Sequence, residues 1–251
     1  MYFESHAHYD DKRFREDREE LLELLPSCGI DYVVNVGCDL KSSQNSLRLA
    51  KKYPYIYAAV GVHPHEVGDM SSQTIEQLRS LSAEKKVVAI GEIGLDYYYD
   101  FHPRELQRFW FRQQLRLAEE VDLPVIIHSR DAAQETFDII EASPVRRGVI
   151  HCYSGAWQMA QDYVDMGFYI GVGGVVTFSN AKKLHEVVEK IPLERILIET
   201  DCPYLAPNPN RGKRNDSRNL QYVVEKIAQM KQMSTDDVAK ITADNAKSLF
   251  F

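Results

Sequence analysis

Short apolar, β-branched runs alternate with amphipathic stretches along the whole chain, and no other feature constrains the fold as much. Strands are expected at Tyr2–Ser5, Tyr32–Val36, Tyr55–Val60, Val87–Ile90, Val125–Ile127, Arg147–Ile150, Phe168–Gly171 and Arg195–Ile198. Between them, FREDREELLELL sets Leu21, Leu22, Leu24 and Leu25 against a charged face. RELQRFWFRQQLRLAEE repeats Leu106, Phe109, Trp110, Gln113 and Leu117 near a period of 3.6. Further helices are expected in KSSQNSLRLAKKY, SQTIEQLRSLS, DAAQETFDIIEA, GAWQMAQDYVDM and SNAKKLHEVVEKI, and a last helical region over Asp216–Phe251. Near-continuous apolar strands alternating with helices imply a parallel sheet covered on its outer face. Eight such units closing on themselves predict a single-domain (β/α)8 TIM barrel over residues 1–251, a usual length for that fold. An open doubly wound sheet is the rival, but no G-x-G-x-x-G follows the first strand.

Charge narrows the functional classes. The chain carries 37 acidic against 30 basic residues, a net charge of −7, which argues against a surface built for non-specific nucleic-acid binding. A nucleic-acid substrate stays open, because a local basic loop or bound metal ions can neutralise phosphates. The N-terminus MYFESHAHYDD has no basic leader followed by an apolar stretch, and no run approaches the roughly 18 apolar residues of a membrane span. Cys28, Cys38, Cys152 and Cys202 form no C-x-x-C pair and read as free thiols of a reducing compartment. The expectation is a cytoplasmic enzyme, apart from membranes and without an obligate protein partner.

The histidines carry the chemistry. His6, His8, His63, His65, His128 and His151 fall at or just beyond the C-terminal end of an expected strand, the end where α/β barrels assemble active sites. His6 and His8 are two apart on one strand and project to the same side, so one rigid element offers two nitrogens to one ion. VVAIGEIGLDY places Glu92 right after the fourth strand, with Gly91 and Gly94 leaving room around it. PVIIHSRDA, GVIHCYSG and RILIETDCPYL bring His128, His151 and Asp201 to the ends of the fifth, sixth and eighth. Taken singly, each has a plain structural use: a core histidine bonded to backbone, a carboxylate capping a helix or pairing with an Arg. Together, four imidazoles and two carboxylates converging on one end of a barrel are costly to bury without a cation.

The expected metal ligands are therefore His6, His8, Glu92, His128, His151 and Asp201. Carboxylates and imidazoles without thiolate suit Mg²⁺, Mn²⁺ or Zn²⁺. Six ligands exceed one tetrahedral ion, so two divalent ions sharing Glu92 as a bridge is the expected arrangement. Such a pair lowers the pKa of a bridging water, and Asp201 is placed to ligate or to take the water's proton. Glu92 and Asp201 are thus the expected catalytic carboxylates. Cys152 and Cys202 adjoin ligands but point the other way by strand alternation, as packing residues.

A second group reads as substrate-binding. His63 and His65, in GVHPH, are assigned as phosphate donors, with further metal ligation and a plain loop as alternatives. Arg211 and Lys213, with Arg214, make NRGKRN a compact basic loop fit to hold a phosphate backbone, or simply a solvated one. Tyr97, Tyr98 and Tyr99 stack on bases or cover the barrel rim.

The motifs S-H-A-H-Y-D, G-V-H-P-H, A-I-G-E-I-G-L-D-Y, L-P-V-I-I-H-S-R, H-C-Y-S-G, E-T-D-C-P-Y-L and R-G-K-R-N occur in this order nearly end to end. In this the chain resembles the TatD-type deoxyribonucleases, a branch of the amidohydrolase-like barrels. The resemblance implies a (β/α)8 barrel, divalent metal and hydrolysis of DNA phosphodiesters, often from the 3′ end. It also implies ligation by the six residues named above. Two positions depart from that pattern. Glu4 stands where the family usually has Asp, one methylene shorter, and Ser217 follows Asp216 where Pro is common. The leading expectation is a two-metal phosphodiesterase acting on DNA. The alternative is hydrolysis of an ester or cyclic amide in a small molecule or aminoacyl-tRNA by the same site.

Overall fold

A computed structural model describes all 251 residues. Eight strands pair in chain order as one parallel sheet: β1 (Tyr2–Ala7), β2 (Ile30–Val36), β3 (Ile56–Val60), β4 (Val87–Asp96), β5 (Val125–Arg130), β6 (Gly148–Ile150), β7 (Tyr169–Val172) and β8 (Ile196–Ile198). The sheet curls until β8 meets β1, where Ala7 bridges Cys202 and the His8 N–H donates to the Cys202 carbonyl at 2.8 Å. Across the same seam the Glu4 carboxyl accepts the Thr200 N–H at 2.8 Å and its hydroxyl at 2.6 Å. The architecture is a (β/α)8 TIM barrel.

Helices cover the outside: α1 (Arg18–Leu24), α2 (Leu40–Lys52), α3 (Ser72–Ser82), α4 (Arg104–Glu120), α5 (Ala133–Glu141), α6 (Trp157–Asp165), α7 (Lys182–Lys190), α8 (Leu220–Lys231) and α9 (Thr235–Phe250). Local chemistry sets several starts. Asp39 and Ser71 each accept from the backbone N–H three residues on, and the residue there answers with its own hydroxyl. No helix is long and apolar enough to cross a membrane.

Strand alternation divides the core into two. The larger part lies between strands and helices, with Val33, Ile90, Ile127, Ile150 and Ile198 facing Phe111, Leu115, Val187 and Val223. The smaller part collects Val34, Val36, Ile126, Val149 and Leu197, the opposite parity, and is closed below by Leu249 and Phe250 of α9. That floor is aromatic: Phe3 stacks on Tyr32 at 5.2 Å and on Phe250 at 5.9 Å. Two residues further along the same strand faces, Ile126 gives way to His128, Val149 to His151, and Leu197 to Glu199 and Asp201. In β5, β6 and the end of β8 one parity therefore supplies an apolar lower barrel and a polar mouth.

Two element boundaries differ most from the expectation. β4 does not stop at Ile90. It runs on to Asp96, because Ile93, Gly94, Leu95 and Asp96 stay in register with Ile127 to Arg130 of β5. The last helical region is two helices, α8 and α9, divided at Gln232, which adopts a left-handed φ of 54°. The extra helix is the floor of the barrel.

Candidate metal centre

Every residue expected at the metal site lies at the C-terminal mouth of the barrel. His6 closes β1's inner face with no exposure, and His8 follows directly after the strand. Glu92 lies inside β4 rather than after it, 4 % exposed. His128 is in β5 and His151 one residue past β6. Asp201 sits three residues past β8 with φ at 55°, a left-handed turn that aspartate tolerates, and its N–H donates to the His6 carbonyl at 3.0 Å.

The Glu92 carboxylate divides this group. Its Oε2 faces His6 Nε2 at 3.4 Å and His8 Nε2 at 3.8 Å; these two nitrogens are 3.1 Å apart, and Asp201 Oδ1 stands 3.3 Å from the second. Its Oε1 faces His151 Nε2 at 2.8 Å, His128 Nδ1 at 3.0 Å and His63 Nε2 at 3.6 Å. His63, three residues past β3, thus joins the second half of the cluster instead of standing apart. Burial alone would raise the Glu92 and Asp201 carboxyls, but the surrounding imidazoles hold both below the usual range, Glu92 by a wide margin.

The neighbours fix which nitrogen faces inward. His8 Nδ1 lies 2.9 Å from the Val36 carbonyl, which makes it the donor and leaves Nε2 free. His128 Nε2 lies 3.1 Å from Asp96 Oδ2, which turns Nδ1 toward Glu92. Asp96 also meets His65 Nε2 at 2.9 Å and accepts the Tyr98 and Tyr99 N–H groups at 3.0 and 2.9 Å. Despite burial, these bonds keep Asp96 well below the ordinary carboxylate range. The His63 imidazole is pushed well below its ordinary value by burial and by His128, and so stays neutral at pH 7.

The donor set fits divalent ions. Each half combines imidazole nitrogens with a Glu92 oxygen, and neither contains a thiolate. Cys38 comes within 3.8 Å of His8 Nδ1 and 3.9 Å of Glu92 Oε2, yet burial pushes its thiol up to about 11, so it stays protonated. Burial raises the Cys152 and Cys202 thiols as well.

Gly91 and Gly94 do not make room for Glu92. A Cβ on Gly94 would fall 2.0 Å from the His128 carbonyl oxygen, and one on Gly91 would fall 2.6 Å from Ile126 Cβ. Both glycines let β4 and β5 approach, and Gly94 has a φ of 144° besides. Nor does Glu4 touch a ligand ring; beyond Thr200, it accepts the His6 backbone N–H at 3.3 Å.

The basic loop is split. Arg214 pairs with Asp17 at 2.5 Å and with the Arg13 carbonyl. Arg211 lies over the Phe178 ring, and Lys213 reaches only Asn210; neither bonds to the cluster. Tyr98, Tyr99 and Phe101 are 58 %, 48 % and 62 % exposed beside His65, whose ring meets Tyr99 and Phe101 edge-on at 5.2 and 4.8 Å. Tyr97 instead bonds to Glu135 at 2.5 Å.

Three groups at this mouth escaped the sequence reading: Asp96, Glu199 and Cys38. The first two lie inside quoted motifs, at even spacing from Glu92 and Asp201, and same-face parity was the signal that could have found them.

A TIM barrel with buried imidazoles and carboxylates gathered at its mouth defines the class of metal-dependent hydrolases. The profile of the family described as TatD related DNase matches residues 3–251. The chain is 44 % identical to the uncharacterized metal-dependent hydrolase YabD of Bacillus subtilis, over 100 % of this chain and 99 % of the relative. It is 35 % identical to the 3′-5′ ssDNA/RNA exonuclease TatD of Escherichia fergusonii, over 95 % of this chain and 94 % of the relative. The crystal structure of YjjV, a TatD homologue from Escherichia coli K12, superposes with a TM-score of 0.93 at 33 % identity, covering 99 % and 97 % of the two chains. The chain belongs to the TatD family of metal-dependent hydrolases.

Proposed function

We propose that the chain is a 3′-5′ exonuclease that hydrolyses single-stranded DNA, with two divalent ions held by His6, His8, Glu92, His128, His151 and Asp201. The observation that carries this reading is the Glu92 carboxylate, which presents one oxygen to His6 and His8 and the other to His128, His151 and His63. Divalent ions in such a set supply Lewis acidity toward a phosphoryl oxygen and make water a nucleophile at neutral pH.

The protein's own groups divide the remaining work. Asp201 is the more exposed carboxylate, 16 % against 5 % for Glu92, and is anionic at pH 7, which suits it to take the water's proton. The water oxygen bonds to phosphorus, the P–O3′ bond breaks, and the leaving 3′ oxygen is protonated. Neutral His63 and the partly exposed His65 line the side from which a phosphate would approach. The exposed Tyr98, Tyr99 and Phe101 offer faces on which a terminal base can stack, and stacking tolerates any sequence. Arg211 and Lys213, free of carboxylate partners, are available to the strand. The relative named as a 3′-5′ ssDNA/RNA exonuclease supports this choice of substrate and polarity. Four unpaired cysteines support a reducing, cytoplasmic setting.

The test is product analysis with end-labelled single-stranded DNA and Mn²⁺ or Mg²⁺. Mononucleotides released stepwise from the 3′ end support the reading. DNA left intact, by a protein that hydrolyses a small ester or cyclic amide instead, overturns it.

A further inference from the structure

Beside the metal centre, the segment between β1 and α1 faces α2 across a cleft of about 510 Å³. Lys12, Arg15, Arg18, Lys41 and Arg48 line it, with Asp10 as the one acid. None of the five cations has a carboxylate within 4 Å, whereas Arg13, Arg214 and Arg218 nearby are all paired. Arg18 is held by three backbone carbonyls, those of Tyr9, Asp10 and Asp11, at 2.5 to 3.0 Å. Those bonds fix its position without neutralising its charge. Asp10 turns inward to the Asn35 amide at 2.9 Å and stands two residues past His8, so the cleft begins where the metal cluster ends. Five cations against one acid, a local net of four positive charges in a chain of net charge −7, invert the protein's field here.

We propose that this cleft binds the phosphate backbone of a nucleic-acid strand outside the metal centre. Its lining contains one apolar residue and no aromatic ring, so it offers phosphates a counter-charge and offers a base nothing to stack on. A site of this kind anchors a strand without reading its sequence. The identity of the ligand rests on the nuclease reading; the existence of an anionic ligand does not.

The test is the full-length protein with Lys12, Arg15, Lys41 and Arg48 all changed to alanine. These side chains are exposed, and far-ultraviolet circular dichroism checks the fold. Binding of a fluorescent single-stranded 12-mer is read by anisotropy without divalent metal, and cleavage of the 12-mer and of a dinucleotide is read separately with Mn²⁺. The expected result is a loss of 12-mer affinity of about tenfold or more, with the slope of log affinity against log salt reduced by about 2 to 3. KM is expected to rise far more for the 12-mer than for the dinucleotide. Unchanged 12-mer affinity and salt slope overturn the proposal, even if inorganic phosphate binding is lost. A wild-type protein that binds the 12-mer through the cleft yet cleaves no nucleic acid refutes the nuclease reading alone. Cleavage with unaltered binding by the variant refutes the cleft alone.

A separate observation concerns the floor of the metal site. His6 and His151 stack at 4.0 Å and 15°, and the Nδ1 atoms of both are buried without a partner. Glu199 Oε2 is also buried without a partner, and the three residues each place an atom within 4.8 Å of the others. Glu199 Oε1 accepts the Cys152 N–H at 2.6 Å and lies 3.5 Å from His151 Nδ1. We infer that Glu199 is a positioning residue for both rings, accepting from the two Nδ1–H groups and so leaving each Nε2 lone pair to its own half of the cluster. In the zinc-loaded protein, histidine ¹H–¹⁵N spectra should show Nδ1–H on both rings. Glu199→Gln should displace at least one and weaken zinc binding about 10- to 100-fold. Should that variant not fold, Glu199→Asp keeps the charge but withdraws it by one methylene and should shift the same signals. Both Nδ1–H signals persisting, with unchanged zinc affinity, overturn the inference.

Discussion

Glu4 and Thr200 are 196 positions apart in the chain, and their side chains meet at 2.6 Å across the seam where the last strand rejoins the first. Burial pushes the Glu4 carboxyl up to about 8 against the pull of its hydrogen bonds, so at pH 7 the seam holds a mostly neutral group. Glu4→Gln keeps shape and neutrality and should cost about 1 kcal/mol or less. Glu4→Ala strands the buried Thr200 donors and should cost about 2 to 4 kcal/mol. Because the folded value is raised, the stability from a protonated Glu4 is present at low pH and lost as pH rises through 8. Urea unfolding at several pH values checks this: between about pH 4.5 and 8 the wild type should lose stability relative to the Gln variant, with the difference level above that.

The floor of the barrel makes a second prediction. Phe250 and Phe3 stack at 5.9 Å, and both are buried. Phe250→Ala should destabilise by about 3 to 5 kcal/mol, read from the urea midpoint, while metal affinity changes little because the lesion lies at the opposite end of the barrel.

Asp96 provides a third. It ties His65 and His128 to one carboxylate, so Asp96→Asn should leave at least one ring without a charged partner. Metal affinity in the second half of the cluster should fall about 10- to 100-fold. Isothermal titration should show one of two binding events weakened and the other retained.

Much of this was legible in the chain. Eight apolar runs such as Val125–Ile127 can only be buried on both faces, and a parallel barrel does that. The mouth positions of the expected ligands followed, because residues at strand ends are placed by the strands themselves. Less legible was whatever depended on pairing between distant elements. β4 extends through Glu92 only because β5 stays in register beside it. His63 read as a phosphate donor, with metal ligation only an alternative, because its distance from Glu92 is set by the turn after β3, not by any periodicity. The cleft of Lys12, Arg15, Arg18, Lys41 and Arg48 joins two segments whose charges look like ordinary solvated helix faces when read singly.

Metal removal provides a fourth prediction. Chelation should leave buried imidazoles and carboxylates facing one another at 2.8 to 3.8 Å without a cation, and the thermal midpoint should drop by several degrees. Binding requires neutral imidazoles, and His8, His128 and His151 are raised above the ordinary imidazole value despite burial, so metal affinity should already fall as pH drops through neutrality, with protons taken up on release. Calorimetry in buffers of different ionisation enthalpy checks the proton count.

Mn²⁺ titration followed by electron paramagnetic resonance tests most directly whether Glu92 joins two ion sites. Two Mn²⁺ per chain with an exchange-coupled spectrum, reduced to uncoupled or single-ion binding in Glu92→Gln, is the predicted result. One Mn²⁺ per chain at saturation, or two that remain magnetically independent in the wild type, would contradict it.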